Sequence, residues 1–153
     1  LLVIGILASF FFKRILWGIL AVVPLSAAVI INFGFMGFFG IELSHVTAIL
    51  SSIIIGVGVD FAIHYISQYR RLSRTISSKK VSKEVVEDVG YPIVLDAASN
   101  MGFGALVFSS FVPIQYIGGL MVFAMLSTSL GTLTILSAIT ELLKKRLIQA
   151  DLD

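Results

Sequence analysis

The chain has no cysteine, which excludes disulfide staples and thiolate metal sites. Charge is scarce as well: Asp, Glu, Lys and Arg together make up 13% of the residues, about half the share of a soluble domain. Hydrophobic residues fill 58% of the chain, and its mean hydropathy is +1.03. That balance does not suit a water-soluble enzyme or a nucleic-acid-binding domain. The chain reads as an integral membrane protein or a piece of one. No set of residues suggests catalysis or metal binding, so it is not expected to be an enzyme. Residues 1–12 carry no basic leader and no small-residue cleavage site, so no cleavable signal is visible.

What is present is a series of long apolar runs. Leu1 to Phe12 is apolar but too short to span and reads as the end of a helix that begins earlier. Lys13-Arg14 follows as a tight basic turn. Ile15–Phe39 is the next span, with Pro24 inside it, a residue tolerated in membrane helices as a kink. Residues 40–45 turn the chain back into a span over Val46–Ile66. Pro92–Val112 and Ile117–Leu143 are two further spans, separated by a turn at Pro113–Tyr116. The hydroxyl-rich last span reads as helix packing. The expected fold class is all-α: a polytopic membrane helix bundle of four full spans plus one truncated span, forming a single transmembrane domain over 1–153.

Residues 68–90 differ in character and read as a cytoplasmic amphipathic connector within that domain. Val81, Val85, Val86 and Val89 share one helical face, with Ser82 as a candidate N-cap and Gly90 as a candidate stop. A short helix lying on the membrane surface is expected there, with a calmodulin-type target as the alternative. All eleven Lys and Arg fall in three segments, 13–14, 70–83 and 144–146. The span order puts these on one side of the membrane, and the opposite loops have none. By the positive-inside rule, 13–14, 68–90 and 144–153 are cytoplasmic. The expected location is multi-pass in the cell (inner or plasma) membrane, and the net charge of +2 marks topology.

One stretch asks for a functional explanation. Asp60 and His64 interrupt the apolar run 46–66 and lie on one helical face, one turn apart. A carboxylate in hydrocarbon costs about 2.5–3.5 kcal/mol on insertion scales, and ionisable groups in membranes mark ion or proton paths. Gly56 and Gly58 remove bulk beside the acid and would let a neighbouring helix come close. Counted at about 1.5 Å per residue from Arg70, Asp60 lies roughly 15 Å deep, near the midplane, and His64 roughly 9 Å. On the next span, counted from Gly90, Asp96 lies roughly 9 Å deep and Asn100 roughly 15 Å. The two helices could therefore form a ladder, His64 with Asp96 and Asp60 with Asn100. Histidine titrates near neutrality, and carboxyl groups removed from water move toward that range, so the ladder is a candidate proton relay. An interhelical hydrogen-bond cluster is the plainer alternative.

The stretch GVGVDFAIHYISQYRR at 56–71 resembles the fourth helix of a repeat in the RND superfamily, in the branch of MmpL-type, hopanoid and Patched-like transporters. Gly56-x-x-x-Asp60 matches the signature of that helix, and Arg70 or Arg71 the basic residue after it. Residues 90–120, GYPIVLDAASNMGFGALVFSSFVPIQYIGGL, resemble the family's next segment, and FFKRILWGILAVVPL at 11–25 its basic turn between helices two and three. The resemblance implies helices two to six of one repeat, or eight to twelve, with SLGTLTIL at 129–136 leaning toward the second. Three positions depart from the pattern: Phe61 stands where a tyrosine is common, Asp96 where a neutral residue is expected, and Thr140-Glu141 lacks the usual proline. The resemblance implies a transporter driven by the proton-motive force, with no bound cofactor, that exports lipids or other hydrophobic compounds. Sodium coupling and a sterol-sensing-like module without transport are the alternatives. Its implied partners are membrane lipids, a hydrophobic substrate, and a second RND half-repeat or another copy of the chain, with no nucleic acid.

Overall fold

The computed structural model describes the backbone of residues 1–75 and 81–152. Part of the expected connector, including Ser77, Lys79 and Lys80, lies outside the described residues. Six α-helices follow in order: α1 (Leu2–Phe11), α2 (Ile15–Phe38), α3 (His45–Ser73), α4 (Val81–Asn100), α5 (Val112–Gly131) and α6 (Ser137–Leu152). A 3₁₀ segment, Met101–Phe108, extends α4, and a π segment, Thr132–Leu136, joins α5 to α6. No strand occurs among the described residues. Four stretches are long and apolar enough to cross a membrane: Ile15–Phe38, Thr47–Ser73, Val81–Phe108 and Val112–Lys144. With the short α1 they make the expected all-α bundle.

The turns explain themselves locally. α1 ends with Lys13 at φ 57°, in the left-handed region. The Arg14 amide donates to the Ser9 carbonyl at 2.9 Å and the Lys13 amide to Phe10 at 3.1 Å, which is a Schellman closure. Gly40, at φ 64°, closes α2 in the same way: the Ile41 amide donates to Met36 at 2.9 Å. Glycine takes that conformation freely, whereas lysine is strained in it. The first turn is held from outside, because Arg70 Nη1 of α3 donates to the Phe12 carbonyl at 3.2 Å. The Arg70 guanidinium also lies 5.7 Å from the Phe12 ring centroid and 5.8 Å from that of Trp17. α3 starts at a capping box in which Ser44 and Thr47 exchange hydrogen bonds.

α3 is the central element and packs against α2, α4 and α5. Leu50, Ile54, Phe61, Ala62, Tyr65, Ile66 and Tyr69 form its buried face. Gly58 lies where α3, α2 and α5 meet: a Cβ there would come 3.3 Å from Thr128 Cγ2 and 3.6 Å from Leu25. At the neighbouring level a Cβ on Gly131 would meet the Pro24 carbonyl oxygen at 3.9 Å. Pro24 of α2 thus sits beside the start of the π segment.

Two expectations change. Val81–Gly90 is no separate surface helix, because α4 runs unbroken from Val81 through Gly90 and Pro92 to Asn100. Val81, Val85, Val89, Ile93 and Ala97 are all buried, and this i, i+4 series carries one packed face across both residues read as a boundary. Ser82 accordingly lies inside the helix. Pro113–Tyr116 is no turn either: α5 begins at Val112 with proline in its first turn. The reversal falls at 109–111, where Gln115 Nε2 donates back to the Ser109 carbonyl at 2.6 Å.

Candidate functional site

The rotation of α3 about its axis is set by its tyrosines. The Tyr65 and Thr140 hydroxyls share a hydrogen bond at 3.1 Å, and Tyr69 donates to the Thr140 carbonyl at 3.4 Å. With these two side chains turned into the bundle, the opposite side of α3 faces outward. Ile49, Ile53, Gly56, Asp60, His64, Ser67 and Arg71 are all exposed and follow one another at helical spacing. Asp60 and His64 therefore share one face, as their spacing requires, and that face points away from the chain's own core. Neither makes a hydrogen bond or ion pair with another described residue.

The two glycines divide between the two sides of the helix. Gly58 provides the close approach inside the bundle. Gly56 lies one turn before Asp60 on the outward face, with nothing within 4 Å of a Cβ built on it. Gly58 thus makes room for α2 and α5 on the side away from Asp60, while Gly56 leaves an open notch on the side of the acid.

The expected ladder to α4 is not formed. Asn100 Nδ2 donates to the Asp96 carbonyl at 3.0 Å and to Asp96 Oδ1 at 3.3 Å, so Asn100 serves its own helix rather than Asp60. His64 has no hydrogen bond to Asp96. The register explains the difference. Gln68 Nε2 donates to Asp88 Oδ2 at 2.6 Å, and Arg71 Nη2 lies 3.9 Å from the same oxygen. Counted outward from that pair along antiparallel helices, Asp60 is level with Asp96, and Gly56 with Asn100. The depths read from the sequence were one turn out of step, because Gly90 is not where the span starts.

Sequence reasoning passed over Asp88, Gln68, Tyr65 and Thr140. Asp88 is the last of three acids, Glu84, Glu87 and Asp88, between the arginines of α3 and the next apolar run, and its closeness to that run was a usable signal. Tyr65 stands one turn after Phe61, the position lacking the tyrosine common in the resembling family. It is buried and turned toward Thr140, on the other side of α3 from Asp60.

The family model described as "Patched SSD" matches residues 3–142. A protein of Methanocaldococcus jannaschii, described as a membrane protein, is 30% identical over 137 residues, which cover 88% of this chain and 35% of that relative. The chain thus spans about a third of the length of the curated relative it matches. No solved structure matches it.

Proposed function

Because the chain belongs to the Patched family, as a membrane module of the RND and sterol-sensing type, we propose that it is the transmembrane part of a proton-coupled exporter of lipids or other hydrophobic compounds. The observation that carries this reading is the outward stripe Gly56–Asp60–His64, exposed on α3. Ionisable side chains at membrane depth almost always face a bundle interior or a water-filled path. A stripe of them on the free side of a packed bundle calls for a second membrane element to cover it. Transporters of this kind are built from paired repeats with their sites between the halves. The covering element is a second half-repeat of a longer polypeptide or a second copy of this chain. Gly56 lets it approach to backbone distance beside Asp60. Between the two, Asp60 exchanges a proton with His64 one turn toward the cytoplasm. Proton occupancy of this pair then biases two packings of the halves, and the substrate is exported as they alternate. Segments 13–14, 68–90 and 144–153 lie on the cytoplasmic side in this scheme.

A second reading is supported by the family match itself, whose description names a sterol-sensing domain. In that reading the module senses lipid without transport, and Asp60 is structural. Asp60→Asn separates the two, since asparagine keeps the size and hydrogen-bonding capacity but cannot titrate. Export by full-length protein in vesicles with an imposed pH gradient is expected to be lost in the variant, with insertion and assembly unchanged. Wild-type rates with asparagine at 60 would overturn the relay in favour of the sensing module. A dependence on a sodium gradient, with no response to pH, would identify sodium as the coupling ion.

A further inference from the structure

The turn between α1 and α2 carries two cations that proton coupling does not use. Lys13 and Arg14 line a hollow of about 990 Å³, with Ser9, Phe10, Ile15 and Ile19 among its other walls. No acidic side chain lines it. The hydrogen bonds that close the turn use the Lys13 and Arg14 backbone amides, and neither side chain forms an ion pair with another described residue. Lys13 stands at φ 57°, the conformation that Gly40 takes at φ 64° at the other end of α2. The turn itself would therefore accept glycine, without the strain that lysine holds there. What lysine adds is a charge on the wall of the hollow.

A second hollow, of about 680 Å³, continues from the first and shares Ser9, Ile15 and Ile19 with it. Its floor is low because α1 and α2 meet through small residues: a Cβ on Gly18 would come 2.5 Å from the Gly5 carbonyl oxygen. Ile6, Ile15 and Ile19 stand exposed beside that floor. The hydroxyls in it are occupied within their own helices, since Ser9 donates to the Gly5 carbonyl at 2.6 Å and Ser26 to the Val22 carbonyl at 2.9 Å. The groove is thus apolar along its length. From Ile15 to Ser26, both in its lining, α2 rises about 16 Å, half of a hydrocarbon core about 30 Å thick. The groove has the length of one leaflet, with the two cations at its headgroup end.

We propose that the α1–α2 hairpin binds one anionic phospholipid of the leaflet on the side of its turn, the phosphate between Lys13 and Arg14 and one acyl chain in the groove toward Ser26. A guanidinium presents paired N–H donors to phosphate oxygens, and an ammonium adds a compact charge. A zwitterionic choline headgroup would bring a third cation to the same hollow. The groove suits a hydrocarbon chain because its floor leaves no polar group in need of a partner. A transporter and a sensing module would carry this site alike, so it stands apart from the choice between them.

The test is native mass spectrometry of the full-length protein in detergent, with added dioleoyl phosphatidylglycerol, dioleoyl phosphatidylcholine or glycerol 3-phosphate. One phosphatidylglycerol per chain is expected to be retained at this site in preference to phosphatidylcholine. Lys13→Gly suits the backbone of the turn and is expected to leave thermal unfolding unchanged while weakening that retention about fivefold. Adding Arg14→Gln is expected to bring the loss to about thirtyfold. Ile6→Trp, an exposed position in the groove and outside the basic hollow, is expected to weaken phosphatidylglycerol severalfold. Equal retention of the two lipids, or wild-type retention in the paired variant, overturns headgroup recognition. Wild-type retention in Ile6→Trp overturns the acyl groove. Displacement of the lipid by an equal concentration of glycerol 3-phosphate overturns the lipid and assigns the hollow to a free phosphate compound.

Discussion

α3 and α4 each carry an acid followed four residues later by a second polar side chain, Asp60–His64 and Asp96–Asn100, in opposite settings. In the apolar window of α3, 41% is buried, against 11% for that of α4 with its 3₁₀ extension. The well-packed helix holds a pair with no hydrogen-bond partner among the described residues, and the loosely packed helix holds the pair closed on itself through the Asn100 amide. A polar pair that satisfies itself can lie on an outer helix at modest cost. A pair that does not, on a helix packed against α2, α4 and α5, marks the side where the proposed second half would sit.

The largest expected contrast between the helices is functional. Asp60→Asn is expected to abolish coupled export, whereas Asp96→Asn should keep it within about threefold, the equivalent of one average membrane hydrogen bond. Export assays of the two variants in the same vesicles check this, and equal loss in both would erase the distinction. The next contrast lies between the two sides of α3. Gly58→Val drives a side chain into Thr128 and Leu25 and is expected to cost about 1–3 kcal/mol of stability. Gly56→Val meets open space and should stay within about 0.5 kcal/mol of wild type, while lowering activity wherever the covering half is present. Denaturant unfolding in micelles reads the first effect and the export assay the second. Smallest is Tyr65→Phe, which removes the hydrogen bond to Thr140 that sets the rotation of α3. A loss of about 0.6 kcal/mol is expected in the same unfolding experiment.

The spans were legible in the sequence because hydrocarbon demands long uninterrupted apolar runs, and Asp60 with His64 was legible because it breaks one. The shared face of that pair followed from a spacing of four. Its direction did not, since residues 46–66 are apolar on every side and a helix apolar all round gives no moment to orient it. Tyr65 and Tyr69 settle the orientation through Thr140, seventy residues further on, which no local pattern reveals. The start of α4 was misread for a related reason: Gly90 and Pro92 are breakers in water, yet the row Val81, Val85, Val89, Ile93, Ala97 supplies enough packing to carry the helix across them.

Pro24 and the π segment have a mechanical consequence. Pro24 offers no amide to the Leu20 carbonyl, and Thr132–Leu136 winds more widely than the helices on either side of it. Both defects lie at one depth, beside each other and next to Gly58. Above and below that depth, α2 and the α5–α6 rod are each tied by regular ladders; at it, both are weakest against bending. The bundle is thus built like two stiff segments sharing a soft seam, so the half that holds Lys13 and Arg70 can tilt without unravelling the other half. Amide exchange at 131–137 faster than at 120–128 is the expected mark of that seam, and uniform protection along the rod would show it to be stiff.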